Sequence, residues 1–524
     1  MRGLIAIGSL WLCAFESSLA APSTTAKTVP VRTENGLITG HRAPKANNVW
    51  EYLGIPYAAP PLGDLRFAEP QRYQGKGAYN ASSFGYDCPQ QAASQPAFPG
   101  FTSQANRILA FFTSATGTRR SEDCLTLNIW SKQTGPFNAQ KPVFVLFHGG
   151  RFAGGNTATP FANGQYLANN EDIVVVSVNY RLNVFGFPGA PGAAANLGLK
   201  DQRLAVEWLR KNIAAFGGNP KKIVIAGQSS GGAAVDWWSY AYRKNPIVHG
   251  LMSTSGNAFS FPMNTAQKQK DNWNTLSIAM GCGNSADSLS CMRKQPFEAI
   301  SLAVTRIAPS PGGSPVRSTP PFYPMADNST IFSAQEYLAR SSSGDFARLP
   351  YFHGHNDYEQ GYYVIPAFAQ GRNVTEEQSA QFLLESFVCP TSYEAHQRVK
   401  ANVATWVYRY FGDWDNTRLY PTSGAYHGSE LHMILGGSED ASGLPATRAQ
   451  KEAVKLFQGA VAAFAADPQH GLTRFGWPKF DPKMKSWIEL VVGGQARVSF
   501  AEPGKYDGKC ANVTMGALST LACS

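Results

Sequence analysis

Ile223-Val224-Ile225-Ala226-Gly227-Gln228-Ser229-Ser230-Gly231-Gly232-Ala233-Ala234-Val235 is the stretch on which the reading of this chain turns. Its first four residues are apolar and mostly β-branched, which suits a buried strand. Gly232 to Val235 reads as the start of a helix. Between them lies the pattern G-x-S-x-G, in which a nucleophilic serine sits on a sharp strand-to-helix turn. Glycines flank it because a side chain there would clash across the bend. With 50 glycines in 524 residues the bare pattern is weak. A strand before it and a helix after it give it weight. A helix beginning at Ser230 would also favour an anion forming beside Ser229.

Outward from this point, Lys141 to Phe147, Ile173 to Val178 and Lys222 to Ala226 read as buried strands bounded by turn residues. Asp201 to Phe216 carries Ala205, Trp208, Leu209, Ile213 and Phe216 at helical spacing. Strand, helix and strand in that order imply a βαβ unit and a parallel sheet, so the fold class is α/β. Residues 305–325, rich in Pro, Ser and Gly, read as an ordered surface loop or rim. No repeat period and no long linker divides the chain.

A serine nucleophile needs donors for an oxyanion, a base, and an acid to orient the base. His148-Gly149-Gly150-Arg151-Phe152 follows a strand, where backbone N–H groups can turn towards Ser229. If the order is Ser, acid, His, the base lies among His396, His427, His432 and His470. His427 is favoured because Gly428 frees the backbone beside it, and His432 reads as a packed helix residue. For the acid, both Asp357 and Glu359 qualify, and spacing does not choose between them. His353 and His355 alone make no metal site, because no third ligand is placed. No cofactor is called for.

Hydrophobic residues make 43% of the chain and charged residues 16%, which excludes disorder, while Gly and Pro exclude a coiled coil. The formal charge of +10 is dispersed, with no basic run that would mark a nucleic-acid partner. Residues 1–20 read as a signal peptide: Arg2, an apolar stretch from Leu4 to Ala14, and Ser18-Leu19-Ala20 as cleavage site. That stretch is too short to span a bilayer, and no later one is apolar for long enough. The expected location is therefore the secretory route, cell wall or exterior. Of eight cysteines, Cys13 leaves with the signal. Local pairing gives Cys88–Cys124, Cys282–Cys291 and Cys510–Cys523, which leaves Cys389 either as a buried free thiol, the favoured reading, or as a sign that one pairing is wrong. Asn80, Asn328, Asn373 and Asn512 stand in glycosylation sequons.

The chain resembles the type-B carboxylesterase/cholinesterase family of α/β-hydrolases, and most of all its fungal secreted members. Gly54-Ile55-Pro56-Tyr57-Ala58 with Pro60-Pro61 and Leu65-Arg66-Phe67 is similar to the family's N-terminal signature. Ser121-Glu122-Asp123-Cys124-Leu125-Thr126-Leu127-Asn128-Ile129-Trp130 is similar to its second. Asn179-Tyr180-Arg181, Gly198-Leu199-Lys200-Asp201-Gln202 and Phe216-Gly217-Gly218-Asn219-Pro220 follow in the expected order. The resemblance implies an α/β-hydrolase fold: one large domain, residues 21–524, with a mostly parallel central sheet and insertions over the site. It implies Ser229 as nucleophile, Glu359 as acid and His427 as base, with oxyanion donors at the N–H groups of Gly150, Arg151 and Ser230. It also agrees with the Cys88–Cys124 and Cys282–Cys291 pairings.

Three positions depart from the family pattern. Gln228 stands where Glu is common, removing a negative charge beside the nucleophile. Arg151 stands where a third Gly is usual, adding a long cation to the oxyanion loop. Segment 88–124 has no Trp, which cholinesterases use there to hold choline. The expected function is hydrolysis of a small-molecule ester through an acyl-enzyme. The alternatives are a lipase with 88–124, bearing Phe98, Phe101, Phe111 and Phe112, as its lid, and a catalytically silent binding protein. Together Arg151 and Gln228 suggest a substrate bearing a carboxylate or phenolate, unless Arg151 points to solvent or pairs with an acid.

Overall fold

Val174–Val178 is buried at every residue, so it needs covering on both faces, as do most of its neighbours. The computed structural model describes residues 29–90, 97–115, 117–132, 140–314 and 316–515. Among these, eleven strands form one sheet. In chain order they are β1 (His41–Ala43), β2 (Ala46–Pro56), β3 (Thr126–Lys132), β4 (Lys141–Phe147), β5 (Val174–Val178), β6 (Gly218–Gln228), β7 (Gly250–Thr254), β8 (Tyr351–Asn356), β9 (Thr405–Tyr410), β10 (Trp487–Leu490) and β11 (Val498–Ala501). Across the sheet the order is β11-β10-β9-β8-β7-β6-β4-β5-β3-β2-β1. The central pairs from β5 through β4, β6, β7, β8 and β9 to β10 are parallel. The pairs towards β1, and β10 with β11, are antiparallel.

Alternation along the strands feeds two cores. Val143, Val145 and Phe147 face one side, where they meet Trp208 and Leu209 of α1 (Leu197–Asn212) and Ala233 and Trp237 of α2 (Ser230–Ala241). Phe144 and Leu146 face the other, among residues from a later helix, Arg448–Ala466. Each such side chain, fully buried, stabilises the fold by about 1.5–3 kcal/mol. Helices on both faces of a mostly parallel sheet make the α/β-hydrolase architecture of one domain.

The sequence motifs meet as buried ion pairs. Arg181 donates from Nε and Nη2 to Asp201 at 2.8 and 2.7 Å, and Arg66 grips Glu122 at 2.6 and 2.5 Å. These forks lock β-strand ends to α1 and to the outer segments.

Two expectations are corrected. Cys510 pairs with Cys389, not Cys523, so Cys389 is no free thiol. Cys389 opens helix Cys389–Lys400, and Cys510 lies in a short turn whose Cα comes within 5.3 Å of it. Nearness in sequence was the wrong guide, because the tail folds back onto that helix; Cys523 lies outside the described residues. Cys88–Cys124 and Cys282–Cys291 are the other two bridges. Residues 305–325 are more than a rim: they hold a two-stranded hairpin, Ser310–Ser314 with Arg317–Thr319, beside the site described below. The signal stretch, residues 1–20, also lies outside the described residues. The four sequon asparagines are all exposed.

Candidate active site

Strands β4, β6, β8 and β9 run parallel, so their C-terminal ends open at one edge of the sheet, where such folds bind ligands. Ser229 follows β6 directly. Its backbone sits at φ 58°, ψ −122°, a strained conformation for a residue with a side chain. The turn is held by Ser229 N–H donating to Thr254 O at 2.8 Å, and by Ala233 N–H donating to Ser229 O at 3.0 Å. A Cβ on Gly227 would stand 2.2 Å from the Gly231 carbonyl, and one on Gly231 would stand 2.2 Å from Phe147 O. Only glycine fits either place.

Glu359 comes three residues after β8 and is fully buried. Its Oε1 accepts from Ser255 Oγ and from the Asn356 N–H, both at 2.7 Å. Its Oε2 meets His427 Nδ1 at 2.5 Å. The other acid open to the sequence reading, Asp357, is turned away and held by Arg409 Nε at 2.8 Å. Rings of Tyr363, Phe387, Tyr362 and Phe112 surround the His427 imidazole at 4.9 to 6.5 Å. His432 is buried against Phe161, His396 bonds the Ser392 carbonyl, and His470 is exposed. None of them meets Ser229.

With Nδ1 donating to Glu359, His427 Nε2 carries a lone pair. The Gln228 amide reaches it at 3.1 Å. The amide next door thus occupies that nitrogen. The Ser229 and Tyr363 side chains line the same cavity, and the serine's nearness opposes, as the smallest effect, the burial that pushes that phenol far up. The backbone N–H groups of Gly150, Arg151 and Ser230 form no backbone hydrogen bond among the described residues. Gly150 and Arg151 lie just past β4, and Ser230 is the first residue of α2.

Sequence reading missed the polar layer beneath. Asn356 bonds both the Tyr426 carbonyl and Glu430 Oε2, and Ser255 Oγ lies 3.4 Å from Glu430 Oε1. Burial, then the nearby Glu359 carboxylate, push Glu430 up to about 7 from 4.5, against the pull of His427 and Asn356. A group raised in the folded state contributes stability below its unfolded value and loses it as pH rises through the folded one. That window runs from about 4.5 to 7. Glu430→Gln is therefore expected to gain in Tm relative to the parent between pH 5 and pH 8, measured by calorimetry. A constant difference across that range would rule out the raised carboxyl.

Two cavities reach Ser229. The smaller, about 30 Å³, is lined by Arg151, Ser230, Phe261, Ser318, Tyr323 and Tyr363 among others. The larger, about 380 Å³, runs past Phe112, Gly150, Arg151, Tyr362 and His427. Phe112 ends the helix Ala105–Phe112 of the disulfide-bounded segment, whose Ile108 and Leu109 are buried in the core.

The model of the carboxylesterase family matches residues 27–386. A chlorogenic acid esterase of Aspergillus niger is 32% identical over 524 residues, covering 95% of this chain and 97% of that protein. Secreted lipase 5 of Gibberella zeae is 31% identical, covering 93% and 94%. A cholinesterase of Mus musculus is 38% identical over 280 residues, covering 52% of this chain and 44% of its own. A family match over most of the chain, on a sheet of this topology, leaves one conclusion: the protein belongs to the carboxylesterase family of α/β-hydrolases and is a carboxylic ester hydrolase.

Proposed function

We propose that the protein is a secreted serine carboxylesterase acting on esters with a short acyl part, with Ser229 as nucleophile, His427 as base and Glu359 as acid. The observation that carries this is the 2.5 Å bond from His427 to a buried, doubly anchored Glu359, beside a serine on its strained turn. When substrate displaces the Gln228 amide's hold, the Ser229 hydroxyl takes its place at His427 Nε2. The imidazole accepts the proton as Oγ attacks the ester carbonyl, and Glu359 stabilises the resulting cation. The N–H groups of Gly150, Arg151 and Ser230 receive the oxyanion. His427 then protonates the departing alcohol, and water activated by the same imidazole releases the acid. The larger cavity, which includes His427, suits the alcohol. The smaller suits the acyl group, since it touches Ser229 and Ser230 but not His427.

Residues 21–524 form the mature domain in this reading. Three disulfides, four exposed sequons and a leader-like N-terminus support export, and one relative is itself named a secreted lipase. Helix Ala105–Phe112, packed into the core, serves better as a wall of the larger cavity than as a lid that swings clear. The smaller cavity's confined space favours short acyl groups over fatty ones.

A p-nitrophenyl series from acetate to palmitate tests both points. We expect kcat/KM to peak at short chains and to fall by at least roughly tenfold by palmitate, about 1.4 kcal/mol. A jump in rate at the solubility limit of the longer esters would establish a lipase. No turnover of any member would leave only a binding protein.

A further inference from the structure

The oxyanion loop carries a side chain its backbone discourages. Arg151 sits at φ 58°, in the left-handed region that favours glycine, and its backbone task needs only an N–H. An arginine held there against conformational preference calls for a use of the guanidinium.

The guanidinium turns into the site, half-buried, and Nη2 donates to Ser318 Oγ at 3.1 Å. Ser318 lines the smaller cavity and not the larger, so this bond fixes the charge on the acyl side. Among the described residues no carboxylate forms an ion pair with Arg151. Neither cavity has an Asp or Glu in its lining, and the residue preceding the nucleophile is the neutral Gln228. Tyr323, Tyr362 and Tyr363 all feel the guanidinium's charge, which opposes the rise that burial gives their hydroxyls. The cation thus lines the same cavity as Ser229, among aromatic and aliphatic side chains, with no carboxylate in that lining.

We infer that Arg151 is a carboxylate-binding subsite for the acyl part of the substrate, so that the preferred ester is the half-ester of a short dicarboxylic acid. The inference rests on Ser229 being the nucleophile. Ser229 Oγ bonds to the ester carbonyl carbon, the bond to the alcohol oxygen breaks, and the alcohol leaves with the proton held by His427. Water then gives the dicarboxylate and returns the serine. Without Arg151 the substrate's own carboxylate would oppose the oxyanion forming a few atoms away. With it, a fork of N–H donors neutralises that charge at a fixed place.

The experiment compares monomethyl glutarate with dimethyl glutarate, per ester group, in a pH-stat. It uses the full glycosylated protein and its Arg151→Lys and Arg151→Met variants. The readout is the ratio of the two kcat/KM values within one protein, so a general loss through the oxyanion loop cancels. In the parent the half-ester is expected to be favoured by roughly ten- to hundredfold. Arg151→Lys should keep part of that preference and Arg151→Met should fall to one or below. Glutarate binding to Ser229→Ala protein, by calorimetry, should be lost when Arg151→Met is added. A parent ratio at or below one, a ratio unchanged in Arg151→Met, or glutarate binding indifferent to Arg151 would overturn the subsite. Turnover of both esters by Ser229→Ala, by contrast, would overturn the nucleophile on which the subsite rests.

Discussion

Replacing Ser229 with alanine is expected to lower kcat by roughly four to six orders of magnitude, with substrate binding retained. The substitution removes a single oxygen from the tip of the turn. Alanine tolerates φ 58° about as poorly as serine does, so the strain is unchanged and no new clash arises. The glycines, the Thr254 carbonyl and the first turn of α2 that hold the backbone are untouched. Circular dichroism and Tm should therefore match the parent, and only turnover should vanish. Parent-like hydrolysis of a p-nitrophenyl ester by this variant would remove Ser229 from the reaction.

Glu359→Gln is the second large effect, and the structure says why an isosteric change should cost so much. Oε1 accepts from two donors, Ser255 Oγ and the Asn356 N–H, each at 2.7 Å. An amide must therefore keep its oxygen on that side and point its NH2 at His427 Nδ1. The imidazole can meet a donor there only as an acceptor, which moves its proton to Nε2. That is the tautomer that cannot take a proton from Ser229. A loss of about ten-thousandfold in kcat is expected near neutral pH. A loss under tenfold would show that Glu359 does not set the tautomer. Imidazole nitrogen chemical shifts would report the switch directly.

Legibility of the sequence followed the reach of each interaction. Lys141–Phe147 was bounded correctly because a central parallel strand must be apolar throughout. The strand before Ser229 was underestimated: it begins at Gly218, which pairs with Lys141, so Gly218 to Lys221 form a polar start where periodicity is silent. The glycine-serine pattern was readable because its cause is local, a bend in which two backbones nearly touch. Choosing Glu359 over Asp357 needed the family likeness, since two acids two residues apart look alike until a fold turns one towards Arg409. Glu430, Ser255 and Asn356 stayed invisible because their meaning lies in one another, across 175 residues between Ser255 and Glu430. The Cys389–Cys510 bridge failed for the same reason, as did the hairpin around Ser318, whose partner is a guanidinium 167 residues earlier.

The bridge between Cys389 and Cys510 closes a ring of chain 121 residues apart at its ends, and His427 lies on that ring. A protease that cuts once inside it, at an exposed turn, releases nothing. The two pieces stay threaded together, travel as one species on a non-reducing gel, and part only when a thiol is added. Such a nicked molecule keeps the His427 imidazole on the piece tied to the rest of the chain, whereas the same cut after reduction would let it drift away. The sulfur bond thus acts less as reinforcement of the fold than as a tether that keeps a damaged enzyme assembled.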